Sequence, residues 1–217
     1  VGDLLIGRAN SLPDGGGDAS LAIGKSTLNA YTGDNSNMTA VGDYALASTT
    51  NAGTSNDAFG YKALFENTTG TYNSAFGQSA GRKNNGEQNV FFGQYSGPYY
   101  ATLDGGFNTF IGPLSGINSQ GVAAKNTGIG ASSLYNLTTG LENTAISSSA
   151  LFTMTTGSRN IGIGFNTGNG ITTGSYNVII GNNVNGLDAA LSNNIIIADG
   201  AGNRRINVSP TGTVGIG

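Results

Sequence analysis

The apolar residues of this chain recur at a long, nearly fixed interval rather than at helical spacing. A large apolar side chain stands at Ile23, Val41, Phe59, Phe76, Phe92, Ile111, Ile129, Ile146, Ile163, Ile180 and Ile197, and each is followed by Gly or, at Ser147 and Ala198, by its replacement. Taking that following residue as the anchor of each copy, successive anchors lie 18, 18, 17, 16, 19, 18, 17, 17, 17 and 17 residues apart. A looser copy, LLIG, ends at Gly7. The pattern is plainest where NTGIGASSLYNLTTGLE, from Asn126 to Glu142, is followed at once by NTAISSSALFTMTTGSR, from Asn143 to Arg159. Self-similarity at a short fixed period marks a chain built by stacking one small unit.

The unit is strand and turn. Gly-free spans of ten or more residues with apolar spacing of three and four are nearly absent, so a helical reading fails. Each copy predicts an extended stretch of four or five residues, a Gly corner, a short second segment and a polar turn, often Thr-Thr-Gly as at Thr138 to Gly140 and Thr155 to Gly157. Such a unit cannot bury an apolar face alone, so the copies stack as the coils of a solenoid. The prediction is an all-β, parallel β-solenoid (β-roll) of about eleven coils. At about 4.8 Å per coil it is a rod roughly 50 Å long. Residues 1–20 form a lead-in with the loose first coil, 21–202 the repeat domain, and 203–217 a C-terminal transition in which Arg204 and Arg205 flank a strand at Ile206.

Three columns carry structural expectations. Four before the anchor stands Asn in nine copies, from Asn56 to Asn194; stacked, these form a ladder of side-chain amides. The column directly before the anchor, all large and apolar, is expected inside the coil. Two before the anchor stand Ala22, Ala40, Ala58, Ala75, Phe91, Phe110, Gly128, Ala145, Gly162, Ile179 and Ile196, never a polar residue. Strand side chains alternate between faces, so this column points the other way. A strand apolar on both faces is covered on both. The simplest cover is the same column of another copy, and a homotrimer, intertwined or side by side, is predicted.

Composition narrows the classes of function. Of 217 residues 37 are Gly, only 10% are charged, and there is no Cys, Trp or His. A net charge of −3 gives no basic surface for a phosphate backbone, which argues against nucleic acid. Without Cys there is neither a disulfide framework nor a thiolate metal site. No apolar run of eighteen residues occurs, and none is expected to insert in a membrane. The opening VGDLLIGRAN lacks the features of a secretion signal. The start at Val1 and the stop at TVGIG read as a piece of something longer.

Without His or Cys, a Ser-His-Asp arrangement and a thiol nucleophile are both excluded. Glycoside hydrolysis needs only two carboxylates and stays open, although Asp57, Glu66, Glu87, Asp104, Glu142 and Asp188 are scattered over different coils. DGGGD, from Asp14 to Asp18, offers oxygen ligands for calcium but not the spacing of a calcium loop, and reads as a flexible turn. The Thr-Thr pairs invite an ice-binding reading, but they recur in only some coils and fit a turn role better. No cofactor is expected. The regularity loosens over Val90 to Phe110, where Pro98, Tyr99, Tyr100 and the turn Asp104-Gly105-Gly106 are inserted. Insertions in solenoids become loops, which often hold the binding face. Tyr95, Tyr99, Tyr100 and Asp104 are therefore the candidate ligand site, with ring faces for sugars and a carboxylate for hydroxyls. Padding of a subunit interface is the competing role for the tyrosines.

With copies reading NSAFG, NTGIG and NTAIS, the chain over residues 21–202 resembles the head repeats of YadA-like trimeric autotransporter adhesins. It is still more similar to the Gly- and Asn-rich repeats of tail fibres from bacteriophages and related contractile injection systems. The resemblance implies a trimer of left-handed parallel β-rolls acting in attachment to a cell surface. The period, near 17, is longer than that of the adhesin heads, and the closing NVSPTGTVGIG resembles the segment that precedes a self-cleaving chaperone domain in many tail fibres. The expected role is therefore an extracellular, structural and receptor-binding segment of a trimeric fibre, without catalytic activity of its own. Its partners are a cell-surface glycan or other receptor and further fibre or baseplate proteins. A polysaccharide-degrading tailspike and an adhesin head are the alternatives.

Overall fold

The computed structural model describes residues 6–8, 20–30, 37–50 and 54–217. The turn from Asp14 to Asp18 lies outside them. Among the described residues there is no helix; one sheet of fourteen strands runs in strict sequence order. From Leu21–Ile23 to Ile195–Ala198, eleven short strands pair in parallel with unshifted register. Ile129 pairs with Ile146, and Ile146 with Ile163, so equivalent residues of successive copies lie directly on one another. The chain is a parallel β-solenoid of about ten turns.

Each turn has one strand, three residues long in all but the last rather than the four or five expected, and the short second segment is a chain of turns. The reason is backbone sign. Within one copy, left-handed φ values occur at the anchor (Gly130, 128°), two and four residues after it (Ser132, 56°; Leu134, 50°) and five before it (Lys125, 58°). Such alternation curls the chain instead of extending it. At the Gly corner a β-carbon on Gly60 would come within 2.5 Å of the carbonyl oxygen of stacked Gly77, so sterics and φ (133°) both demand glycine. Leu46, Leu64, Leu134 and Leu151 are left-handed but fully buried. Burying a leucine contributes about 1.5–3 kcal/mol against about 1–2 kcal/mol for the left-handed backbone, so burial wins.

The two apolar columns are exchanged relative to the sequence expectation. The column two before the anchor is the inside: Ala40, Ala58, Ala75, Phe91, Phe110, Ala145 and Ile179 are fully buried. The column before the anchor faces out, with Ile111, Ile129, Ile146, Ile163, Ile180 and Ile197 all 36–39% exposed and Phe92 56%. Strand parity explains the exchange. The buried asparagines sit four before the anchor and so share a face with the residue two before it. Large side chains were assigned to the core by size. The interior is instead filled from the opposite wall, by Leu46, Leu64, Leu134 and Leu151 and by Leu137, Met154 and Ile171, which leaves room only for small residues on the strand.

Where the strand residue is Phe91 or Phe110, the opposite wall has Gly81, Gly97 or Gly116 instead of leucine. A β-carbon on Gly97 would sit 2.2 Å from Phe91 Cδ1, and one on Gly116 would sit 2.6 Å from Phe110 Cε2. The core is thus packed rung by rung with complementary volumes.

The asparagine column is a ladder. Asn143 donates its backbone N–H and one Nδ2 proton to Asn126 Oδ1 and the other Nδ2 proton to Gly157 O at 2.8 Å, and the same three bonds repeat at Asn126 and Asn160. Below Asn56 the Met38 N–H donates to Ser20 Oγ at 3.2 Å in the equivalent place. The two ends reverse direction. Ile6–Arg8 pairs antiparallel with Leu21–Ile23, so the loose first copy is not stacked as a coil. Arg204–Val208 and Val214–Ile216 add as antiparallel strands beyond Ile195–Ala198.

Candidate functional site

The coil between Gly93 and Gly112 is the longest, and it follows the shortest. Tyr99 N–H still donates to Ile117 O in the next coil (3.1 Å). The chain rejoins the stack at Leu103, whose N–H donates to Lys83 O (3.0 Å) and which bridges both Asn84 and Gly121. Leu103 is fully buried and pins the return. Tyr100, Ala101 and Thr102 therefore bulge from the wall, with Lys83 Nζ donating to Tyr100 O at 3.4 Å.

Three of the four expected site residues come together here. Tyr95 and Tyr99 meet edge to face with centroids 5.0 Å apart, and Tyr99 and Tyr100 likewise at 5.2 Å. The Arg82 guanidinium lies 5.0 Å from the Tyr99 ring centroid and is held by Glu66 at 2.7 Å. Tyr95 OH accepts from Gln78 Nε2 at 3.4 Å. Tyr99 is thus committed to packing, whereas Tyr100 is 61% exposed. Asp104 is not part of the cluster. It lies beyond Leu103, exposed, with its backbone N–H bonded to Gly121 O at 2.7 Å, and its carboxylate bonds to no described residue.

The bulge forms one end of a groove of about 510 Å³ that runs over the following coils. Besides Tyr100 and Ala101 it is lined by Asn118, Gln120, Asn136 and by Thr138, Thr153, Thr155 and Thr172, and no charged side chain is among the lining. These residues form two columns, six and eight places after the anchors. Sequence reasoning took the threonines as turn residues and left the amides unassigned. The signal that could have found them was the run Asn118, Asn136, Thr153 beside Gln120, Thr138, Thr155, Thr172, directly following the longest interval between anchors.

The chain matches no protein-family model, no curated protein and no solved structure. Its chemistry therefore rests on its own geometry. Among the described residues no three metal-ligating side chains cluster. Glu66 is engaged by Arg82 and Lys83, the latter at 3.7 Å. Glu142 bonds Arg159 Nε at 2.8 Å, and that hydrogen bond, with the guanidinium charge, holds its carboxyl below its ordinary value while raising Arg159. Arg159 also donates to Tyr176 OH, which completes a charged and aromatic column beside the exposed strands.

Proposed function

We propose that this chain is a structural and receptor-binding segment of a trimeric, extracellular fibre that attaches to a cell surface, most simply through a glycan. The observation that carries the reading is the outward apolar column, unbroken from Ile23 to Ile197. Phe59, Phe76 and Phe92 stack along it at 4.4 and 5.6 Å, and isoleucines continue it. An exposed apolar strip some 50 Å long at about 4.8 Å per rung is unusual for a monomer. Rotation about an axis parallel to the rod brings identical columns together at equal height and closes without a free end. Three copies follow the fibre and adhesin repeats that the sequence resembles. Such an assembly acts as a rigid spacer that presents its turn segments to a surface, and the reading gives it no catalytic role.

Light scattering on the purified protein should return the mass of three chains, and labelled protein should adhere to the surface of cells carrying its receptor. A single-chain mass at micromolar concentration would overturn the assembly. Absence of adhesion across a broad panel of bacterial and animal cells would overturn the attachment role.

A further inference from the structure

The groove beside Tyr100 is lined by uncharged hydrogen-bonding groups, and their arrangement selects its ligand. Thr138 Oγ1 donates to Thr155 O (3.1 Å), Thr155 Oγ1 to Thr172 O (3.0 Å) and Thr153 Oγ1 to Ile171 O (2.9 Å). Each hydroxyl proton is spent on the next coil, so Thr138 and Thr155 present only lone pairs to the groove. Asn118 Nδ2 gives one of its two protons to Tyr135 O at 2.9 Å, which leaves its second N–H and its carbonyl oxygen. The Gln120 and Asn136 amides and the Tyr100 hydroxyl, engaged by no hydrogen bond among the described residues, offer both donors and acceptors, as Asn118 still does. The surface mixes donors and acceptors and none of its lining residues is charged; the Lys83 ammonium at the Tyr100 end is already shared by Tyr100 O and Glu66.

We infer that this groove binds a neutral, hydroxyl-rich glycan chain lying along the rod axis, with Tyr100 as the stacking platform at one end. A carboxylate, sulfate or phosphate only accepts hydrogen bonds, so it would use the amide donors but meet the lone pairs of Thr138 and Thr155 with no charged residue in the lining to compensate. A sugar hydroxyl donates as well as accepts. The ring of Tyr100 supplies the apolar contact that the face of a sugar needs. Repetition sets the orientation: the positions eight after the anchors, Gln120, Thr138, Thr155 and Thr172, recur about every 4.8 Å up the rod, so a ligand with repeating units meets an uncharged polar group again in successive coils. The groove lies on the turn segments rather than on the strand face, and so stays open when the apolar column is covered. This inference rests on the attachment reading above and names the ligand class and the residues for it.

The test uses the full chain with soluble dextran, mannan and galactan as neutral probes, and polysialic acid, hyaluronan and polygalacturonate as anionic ones. Binding is measured by titration calorimetry on wild type, Tyr100→Ala, the pair Gln120→Ala with Asn136→Ala, and Thr155→Val, with circular dichroism confirming the fold of each. At least one neutral probe should bind and none of the anionic ones. Tyr100→Ala and the amide pair should each weaken binding about tenfold or more. Binding of the anionic probes alone, binding of none, or variants that bind like wild type would overturn the inference. Adhesion to cells runs in parallel. Variants that still adhere like wild type would remove the groove but keep the attachment role, whereas groove-dependent glycan binding without adhesion to any cell would remove the attachment role and keep the groove.

Discussion

Asn143 Nδ2 lies 3.1 Å from Asn126 Oδ1, and the Asn143 backbone N–H reaches the same oxygen at 2.9 Å. One carbonyl oxygen thus accepts both protons that the next rung offers, while Asn143 Oδ1 does the same for Asn160. Both side chains are fully buried. Asn143→Ala strands Gly157 O and the Asn160 N–H, and each unsatisfied buried group costs about 1–3 kcal/mol. The expected loss is about 3 kcal/mol in urea unfolding. Asn194 ends the ladder, with its amide on Ser192 O at 2.7 Å and no asparagine above, so Asn194→Ala should cost clearly less. Equal costs at both positions would mean that the ladder is not what holds the rungs.

Phe91 and Gly97 are matched in volume and backbone. Gly97 has φ 78°, and an added β-carbon would meet the Phe91 ring at 2.2 Å. Gly97→Ala should therefore destabilise by about 1–3 kcal/mol through overpacking. The remedy is already written lower in the rod, where small Ala58 and large Leu64 hold the corresponding strand and wall positions, both fully buried in the same core. Phe91→Ala alone leaves a cavity costing about 3–5 kcal/mol. Combined with Gly97→Leu it should recover part of that loss, a coupling readable in a double-mutant cycle. Strict additivity would show that the two positions do not share one space.

Much of this was legible from the chain because repetition fixes position: a residue seen at the same offset in nine copies has the same neighbours above and below. That argument located the Gly corners and the asparagine ladder. It assigned the faces wrongly, because size was used to place Ile129 and Ala145 when parity with Asn126 and Asn143 decides the matter. The tyrosine cluster was legible as an insertion, but Asp104 is separated from it by buried Leu103. The groove was not legible. Its lining spans Tyr100 to Thr172, drawn together only by stacking, and its depth comes from a bulge whose direction the spacing does not encode.

Asp199 organises the turn at which parallel stacking ends. Its carboxylate accepts from the Asn203 side-chain amide (3.0 Å to Oδ2), from Arg205 Nη2 (2.5 Å) and from the N–H groups of Asn203 (3.0 Å) and Ala201 (2.9 Å). The Asn203 amide first, then Arg205 and the backbone donors, hold it well below the usual carboxylate range despite some desolvation. A depressed folded-state value gives stability that is full above the unfolded value of about 3.9 and is lost as pH falls through the folded one. Hydrogen exchange at the Asn203 amide should therefore stay protected at pH 4 and open only in stronger acid. Asp199→Asn should open it already at neutral pH and abolish the pH dependence. Unfolding of this turn at pH 4 to 5 would contradict the pairing.

Ala145 and Ile146 are neighbours on one strand with opposite fates, the first fully buried and the second 37% exposed. A charge placed on either tests both the face assignment and the proposed assembly. At Ala145 an aspartate would enter an interior closed by Ala150 and Leu151, with no partner, and the chain should fail to fold or lose several kcal/mol. At Ile146 the same charge points outward, so each chain keeps its own core and its far-UV dichroism. In the assembly, however, three such charges would meet around one axis at the same height, because equivalent rungs lie level. Ile146→Asp should therefore stay folded but scatter light as a single chain, and Ile163→Asp one rung up should do the same. If Ile146→Asp unfolds while Ala145→Asp does not, the faces are assigned the wrong way round. If both outward variants keep the mass of three chains, the subunits meet elsewhere and the apolar column needs another partner.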